Sequence, residues 1–157
     1  MRFFIFLILM LSSQAYGMIH VKKCIEETEA QFGIPRTLLA AVIEHESSYN
    51  IKAINKVGRD NAVASYGLGQ ITIPTARSYC GIRSRKELMS YQKNIKCTAK
   101  ILRHHLIKYG NIHSALTAYR AGSPCKQTDE ETIRVCTTED NKYIKGVLRK
   151  MKLKFNI

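Results

Sequence analysis

From Val21 to Met151 apolar residues recur at three- and four-residue intervals, and no stretch alternates convincingly with a period of two. A chain patterned this way buries its apolar surface as helix stripes, so the fold class is mostly α. Val21, Ile25 and Phe32 mark a first helix that stops at Gly33. Pro35 then falls at a first helical position, where its missing N–H costs nothing. Leu38, Leu39, Val42 and Ile43 line one face of a helix running to about Ser47. Pro74-Thr75-Ala76 opens a short helix toward Tyr79, and Ser84 with Glu87 spells a capping box for another. Tyr91–Tyr109 reads as a long helix with Ile95, Ala99, Leu102 and Leu106 on one face, stopped by Gly110. Ile112–Tyr119 is a further helix, and Thr138–Met151 a last one with Tyr143, Ile144, Val147 and Leu148 inward. Ser123–Thr138 is a polar loop. Asn50–Gln70 is polar too, with Gly58, Gly67 and Gly69, and reads as a long loop with room for a small hairpin inside Asn55–Ser65. A loop of that length without its own periodicity is usually functional.

The fold needs only residues 18–157, as one domain. Met1–Gly17 joins Arg2 to the apolar run Phe3–Leu11 and sets small Ala15 and Gly17 at the −3 and −1 positions. That is the pattern of a secretory signal peptide cleaved after Gly17. The run is well short of the roughly 20 residues a membrane-spanning helix needs. Cys24 follows Val-Lys-Lys rather than a lipobox, so no stable membrane anchor is expected after cleavage. The expected location is periplasmic or secreted.

Export makes the five cysteines readable, because disulfides are the default outside the cytoplasm. Short loops favour Cys80–Cys97 and Cys125–Cys136, with Cys24 free or paired between chains. No two cysteines lie two to four apart and the histidines complete no zinc pattern, so no metal is expected.

Glu46 is the chemical focus. It lies on the apolar stripe of its helix, three residues after Ile43 and four after Val42, and in the last turn. Burial and the unpaired carbonyls of a helix end both disfavour the ionised carboxylate. A carboxyl that keeps its proton near neutral pH is what a general acid requires. The plain alternative is a glutamate that closes its helix by pairing with His45 or Lys52.

Charge sets the partner class. Lys plus Arg number 25 against 12 Asp plus Glu, a net +13, and residues 142–157 hold six Lys or Arg with no acid. Such a chain is drawn to an anionic polymer. The export signal, and the lack of a recognition motif with interleaved aromatics, argue against nucleic acid.

Four elements then match a known family in order. Glu46-Ser47-Ser48-Tyr49-Asn50 is followed by Ala53; Ser65-Tyr66-Gly67-Leu68-Gly69-Gln70-Ile71 by Pro74-Thr75-Ala76; Asn94-Ile95 by Leu102 and Tyr109-Gly110; and Ala115-Leu116-Thr117-Ala118-Tyr119-Arg120-Ala121-Gly122 by Tyr143. Together they resemble the catalytic core of the soluble lytic transglycosylase (SLT) family, relatives of goose-type lysozyme, over about residues 22–152. The chain also resembles the short single-domain members that accompany secretion and conjugation machines. The resemblance implies a lysozyme-like helical domain that cleaves the MurNAc–GlcNAc β-1,4 bond of peptidoglycan and leaves 1,6-anhydro ends, with no cofactor. Two residues depart from the family pattern. Gly69 stands where the family has a sugar-contacting Met, and Arg120 stands where it has Asn.

The resemblance casts Glu46 as acid and then base, with the substrate's own 6-hydroxyl as nucleophile. Ser47 and Gln70 offer hydrogen bonds to N-acetyl and hydroxyl groups. Gly67 and Gly69 let backbone approach a glycan closely. Tyr119 is placed to hold the Glu46 carboxyl, Asn50 to turn the loop, and Tyr143 falls where the family often has a Tyr. A lysozyme-like hydrolase is the alternative. It would need a second carboxylate about 6.5–9.5 Å away, for which Asp60 is the one acid in the Asn50–Gln70 loop. A non-catalytic cationic wall-binding protein is the third reading, which an acid kept at position 46 argues against.

Overall fold

The structure is a computed structural model that describes residues 2–35, 37–57, 63–125 and 136–155, the first fifteen and last two of these as backbone only. The described chain forms α1 (Arg2–Phe32), α2 (Leu38–Ser47), β1 (Ile54–Val57), β2 (Val63–Tyr66), β3 (Ile71–Thr72), α3 (Ile73–Cys80), α4 (Arg85–Leu88), α5 (Tyr91–Tyr109), α6 (Ile112–Ala121) and α7 (Thr138–Phe155). The mostly α class holds. The backbone of α1 runs without a break through Gly17, the boundary expected for cleavage. Among the described residues no helix is long and apolar enough to cross a membrane.

α5 is the central post. Its Ile95, Ala99 and Leu102 are wholly buried, packed with Val21 and Ile25 of α1, with Leu38, Leu39, Val42 and Ile43 of α2, with Leu116 of α6, and with Ile144 and Val147 of α7. A smaller cluster joins Ile71, Ala76, Ile82, Leu88 and Ile101 around the Cys80–Cys97 bridge. Both short-loop disulfides are present, with Cα separations of 5.6 Å for Cys80–Cys97 and 4.9 Å for Cys125–Cys136; Cys24 is free.

The hairpin expected inside the long loop is β1 and β2, antiparallel in the register Ile54 to Tyr66 and Val57 to Val63. A third strand, β3, was not expected. It is two residues long, and it pairs back onto Ser65 and Tyr66 across the Gly67–Gln70 turn. Two residues are too few for a periodic signal.

Two local expectations are corrected. Pro35 is not the first helical residue, because α2 begins at Leu38; Pro35 instead accepts the Leu38 N–H through its carbonyl at 3.0 Å. Thr37 sits in the left-handed region at φ 67°, which breaks helical continuity before it. Leu148 is 37% exposed rather than inward. The buried face of α7 is Tyr143, Ile144, Val147 and Met151, and Leu148 lies one residue, about 100°, past Val147.

Candidate active site

Glu46 is the penultimate residue of α2, half-buried, with Ser48 beyond it in the left-handed region at φ 50°. The Tyr143 hydroxyl gives a hydrogen bond of 2.6 Å to Glu46 Oε1. Burial pushes the Glu46 carboxyl up to about 7, and the Tyr143 bond and the Arg120 charge only partly counter it. Tyr143 is itself buried beside a carboxylate, which holds its phenol protonated, so it remains a donor. α7 can come this close because residue 146 is glycine. A Cβ there would meet the His45 ring at 2.5 Å, and that ring packs edge-on against Tyr143 at 4.8 Å between centroids. His45 is lowered by burial and is therefore neutral near pH 7. The neighbouring Glu44 pairs with Lys150 at 2.9 Å, so this ion pair ties α2 to α7 beside the site.

The hydrogen bond that sequence reading gave to Tyr119 is thus made by Tyr143. Tyr119 donates instead to the Gly69 carbonyl at 2.6 Å. This ties the Gly67–Gln70 turn to α6. Asn94, buried in α5, completes that turn: its Oδ1 accepts from Gly69 N at 2.8 Å, and its Nδ2 donates to the Tyr66 and Leu88 carbonyls at 2.9 Å each. Gly67 adopts φ 69°, and a Cβ on it would meet Asn94 Nδ2 at 2.5 Å, so glycine is required twice over. Gln70 folds back on the turn, accepting from Ser65 Oγ at 2.8 Å and donating to the Gly67 carbonyl at 2.8 Å. Ser47 Oγ donates to the Ile43 carbonyl at 3.1 Å. Asn50 Oδ1 accepts from Lys52 N at 2.9 Å, the turn expected of it. Asp60 lies outside the described residues. Gln70 and Tyr119 also wall a cavity of about 210 Å³ with Thr72, Thr75, His105 and Arg120. Among the described residues no cluster of His, Cys, Asp and Glu could hold a metal.

Sequence reading missed Asn94's hydrogen bonds, Thr98 and Asp140. The Thr137-x-x-Asp140 spacing, a capping box, was the available signal for Asp140.

Comparison with known proteins decides the family. The family model described as "Transglycosylase SLT domain" matches residues 23–139, most of the chain. The chain belongs to the transglycosylase SLT family. It is similar to Protein IpgF of Shigella flexneri, 28% identical over 109 residues that cover 68% of this chain and 70% of that protein. It is also similar to the transglycosylase of Enterobacteria phage PRD1, 33% identical over 94 residues, 60% of this chain and 32% of the phage protein. Among solved structures, the lytic transglycosylase Slt of Pseudomonas aeruginosa superposes with a TM-score of 0.65 at 23% identity, covering 86% of this chain and 24% of that one. The 70 kDa soluble lytic transglycosylase of Escherichia coli gives 0.55 at 20%, covering 82% and 19%. Those two likenesses establish the lysozyme-like SLT fold.

This SLT protein is a lytic transglycosylase, an enzyme of peptidoglycan. Its departure at Gly69 has a local cause. A Cβ at position 69 would collide with Thr98 Oγ1 and lie 2.9 Å from the Tyr119 hydroxyl. Thr98 and Gly69 are therefore a matched pair, and no side chain fits at 69 while Thr98 fills the space. The departure at Arg120 also has a partner, Asp140, at 2.6 Å.

Proposed function

We propose that this lytic transglycosylase cleaves the MurNAc–GlcNAc β-1,4 bond with Glu46 acting first as acid and then as base. One observation carries the reading: a carboxyl at the C-terminal end of α2, bonded by Tyr143 and raised to about 7. Near neutral pH a substantial share of it is protonated. It gives that proton to the glycosidic oxygen as the C1–O bond breaks through an oxocarbenium-like transition state. The Tyr143 hydroxyl stabilises the carboxylate that remains. That carboxylate then takes the proton of the 6-hydroxyl on the same MurNAc while O6 bonds to C1. A 1,6-anhydro ring forms, Glu46 recovers its proton, and no water is consumed. The P. aeruginosa relative of this fold is described as inactive when a glutamate is changed to glutamine, which supports a single essential carboxyl.

Gln70 and Tyr119, with Ser47 and Gly67, are the proposed glycan contacts, and Asn50 shapes the loop beside them. The catalytic domain is proposed to span 18–157 after loss of a signal peptide, to work in the periplasm or beyond, and to open the wall locally for a secretion or conjugation apparatus. The full chain carries +13 and residues 18–157, without Arg2, +12, which suits a wall that carries carboxylates.

Mass spectrometry of muropeptides from digested sacculi tests this. The expected products are lighter by one water per cut than muramidase products. Products with free reducing ends would make the enzyme a hydrolase and return Asp60 to consideration.

A further inference from the structure

The last turn of α6 carries two adjacent residues, one fastened to the Gly67–Gln70 turn and the other to α7. Tyr119 holds the Gly67–Gln70 turn through the Gly69 carbonyl. Arg120 reaches the other way, placing Nη1 2.6 Å from Asp140 Oδ1 on α7. We propose that the Arg120–Asp140 ion pair clamps α7 where Tyr143 can reach Glu46, making Arg120 a positioning residue for the reaction. This inference rests on Glu46 being the catalytic acid.

Asp140 has no exposed surface, so its charge depends on protein partners. Its other oxygen, Oδ2, accepts from Thr137 N at 2.9 Å and from Thr137 Oγ1 at 2.8 Å, while Asp140 N donates to Thr137 Oγ1 at 3.2 Å. The carboxylate is therefore a joint. One oxygen builds the first turn of α7, and the other fastens that turn to the end of α6. Tyr143 is three residues further on, one helical turn along the same face. Its hydroxyl lies 2.6 Å from Glu46 Oε1. A slide of about 1 Å at the start of α7 would stretch that contact past hydrogen-bonding range.

Arg120 also acts through its charge, which favours the ionised form of Glu46. The other groups around Glu46 are neutral or already matched. Tyr143 and Tyr119 are held as phenols, His45 is neutral, and Glu44 is paired with Lys150. Among the described residues Arg120 is the cation whose charge is felt at Glu46. Its side chain is 33% exposed, so the pair is partly sheltered from water and salt.

The test compares Arg120→Met and Arg120→Lys with wild type on purified sacculi, across pH, alone and in a Tyr143→Phe background. Arg120→Met is expected to lose about tenfold in kcat with KM within about twofold, and its alkaline limb is expected to move up, because the carboxylate loses both a cation and its aligned phenol. Arg120→Lys should restore the wild-type limb. In the Tyr143→Phe background the same Arg120→Met change should cost at most about twofold, since the two residues act as a unit. Additive losses, or an unchanged pH profile in folded Arg120→Met protein, would overturn the proposal. If Arg120→Met does not accumulate folded, Arg120→Gln, which removes the charge and shortens the reach to Asp140, carries the same comparison. An active Glu46→Gln protein would instead overturn the underlying reading of the acid.

Discussion

α2 meets a glutamate at each end, Glu29 buried and Glu46 half-buried, and the two ends treat it differently. At the N-terminus, Glu29 of α1 lays its carboxylate across the first turn, accepting from Thr37 N at 3.3 Å and Ala40 N at 3.2 Å. Leu39 N adds a third donor, and the positive end of the helix dipole favours the same charge. Thr37 cannot do this itself. Its left-handed backbone makes no side-chain cap, and its Oγ1 is buried without a hydrogen-bond partner among the described residues. At the C-terminus, Glu46 lies at the negative end of the dipole and, among the described residues, accepts from one phenol. Burial leaves both carboxyls raised, but at Glu29 three backbone N–H groups partly counter it, while at Glu46 the carboxyl rises to about 7. One residue type on one helix is thus a cap at one end and an acid at the other. The donors at each end decide which.

Breaking the acid end should have the largest effect. Glu46→Gln keeps the size and the Tyr143 contact but has no carboxyl proton to give. Activity on sacculi should fall at least about a hundredfold while circular dichroism stays native.

Breaking the cap end should act on stability and leave the chemistry intact. Glu29→Ala strands backbone donors at a buried helix start, which costs about 1–2 kcal/mol. A melting temperature lower by several degrees is expected in calorimetry, with kcat at low temperature and the shape of the pH profile unchanged. A shifted pH profile would mean that Glu29 influences Glu46.

The smallest effect sharpens the contrast in sign. The folded protein holds the Glu46 proton up to about 7, against an ordinary value of 4.5, so ionisation costs stability as pH rises from about 4.5 through 7. Glu46→Gln removes that cost. The variant should match wild type below about pH 4.5 and exceed it by on the order of 1–2 kcal/mol above about pH 7, read from denaturant midpoints.

Much of this was legible in the sequence, and for definite reasons. α5 was placed from Tyr91 to Tyr109 because its apolar stripe is long and Gly110 ends it at φ 71°. Glu46 was placed inward in the last turn because helical spacing from Val42 and Ile43 fixes a face. The disulfides followed from loop length. What failed were contacts between distant segments. Tyr143 lies 97 residues from Glu46, and no local pattern ranks it above Tyr119 as the donor. The Glu29 cap crosses from one helix to another, so no capping motif announces it. The short β3 strand and the late start of α2 were decided by pairing and by one left-handed residue, neither of which periodicity records.

The comparison between the two ends of α2 is tested most directly by titrating the carboxyls themselves. In protein labelled with ¹³C at glutamate Cδ, the resonance that disappears in Glu46→Gln should titrate near pH 7. The Glu29 resonance, assigned with Glu29→Gln, should complete its titration at lower pH. A Glu46 resonance that titrates near the ordinary value of 4.5 would contradict the claim that this helix end builds the acid.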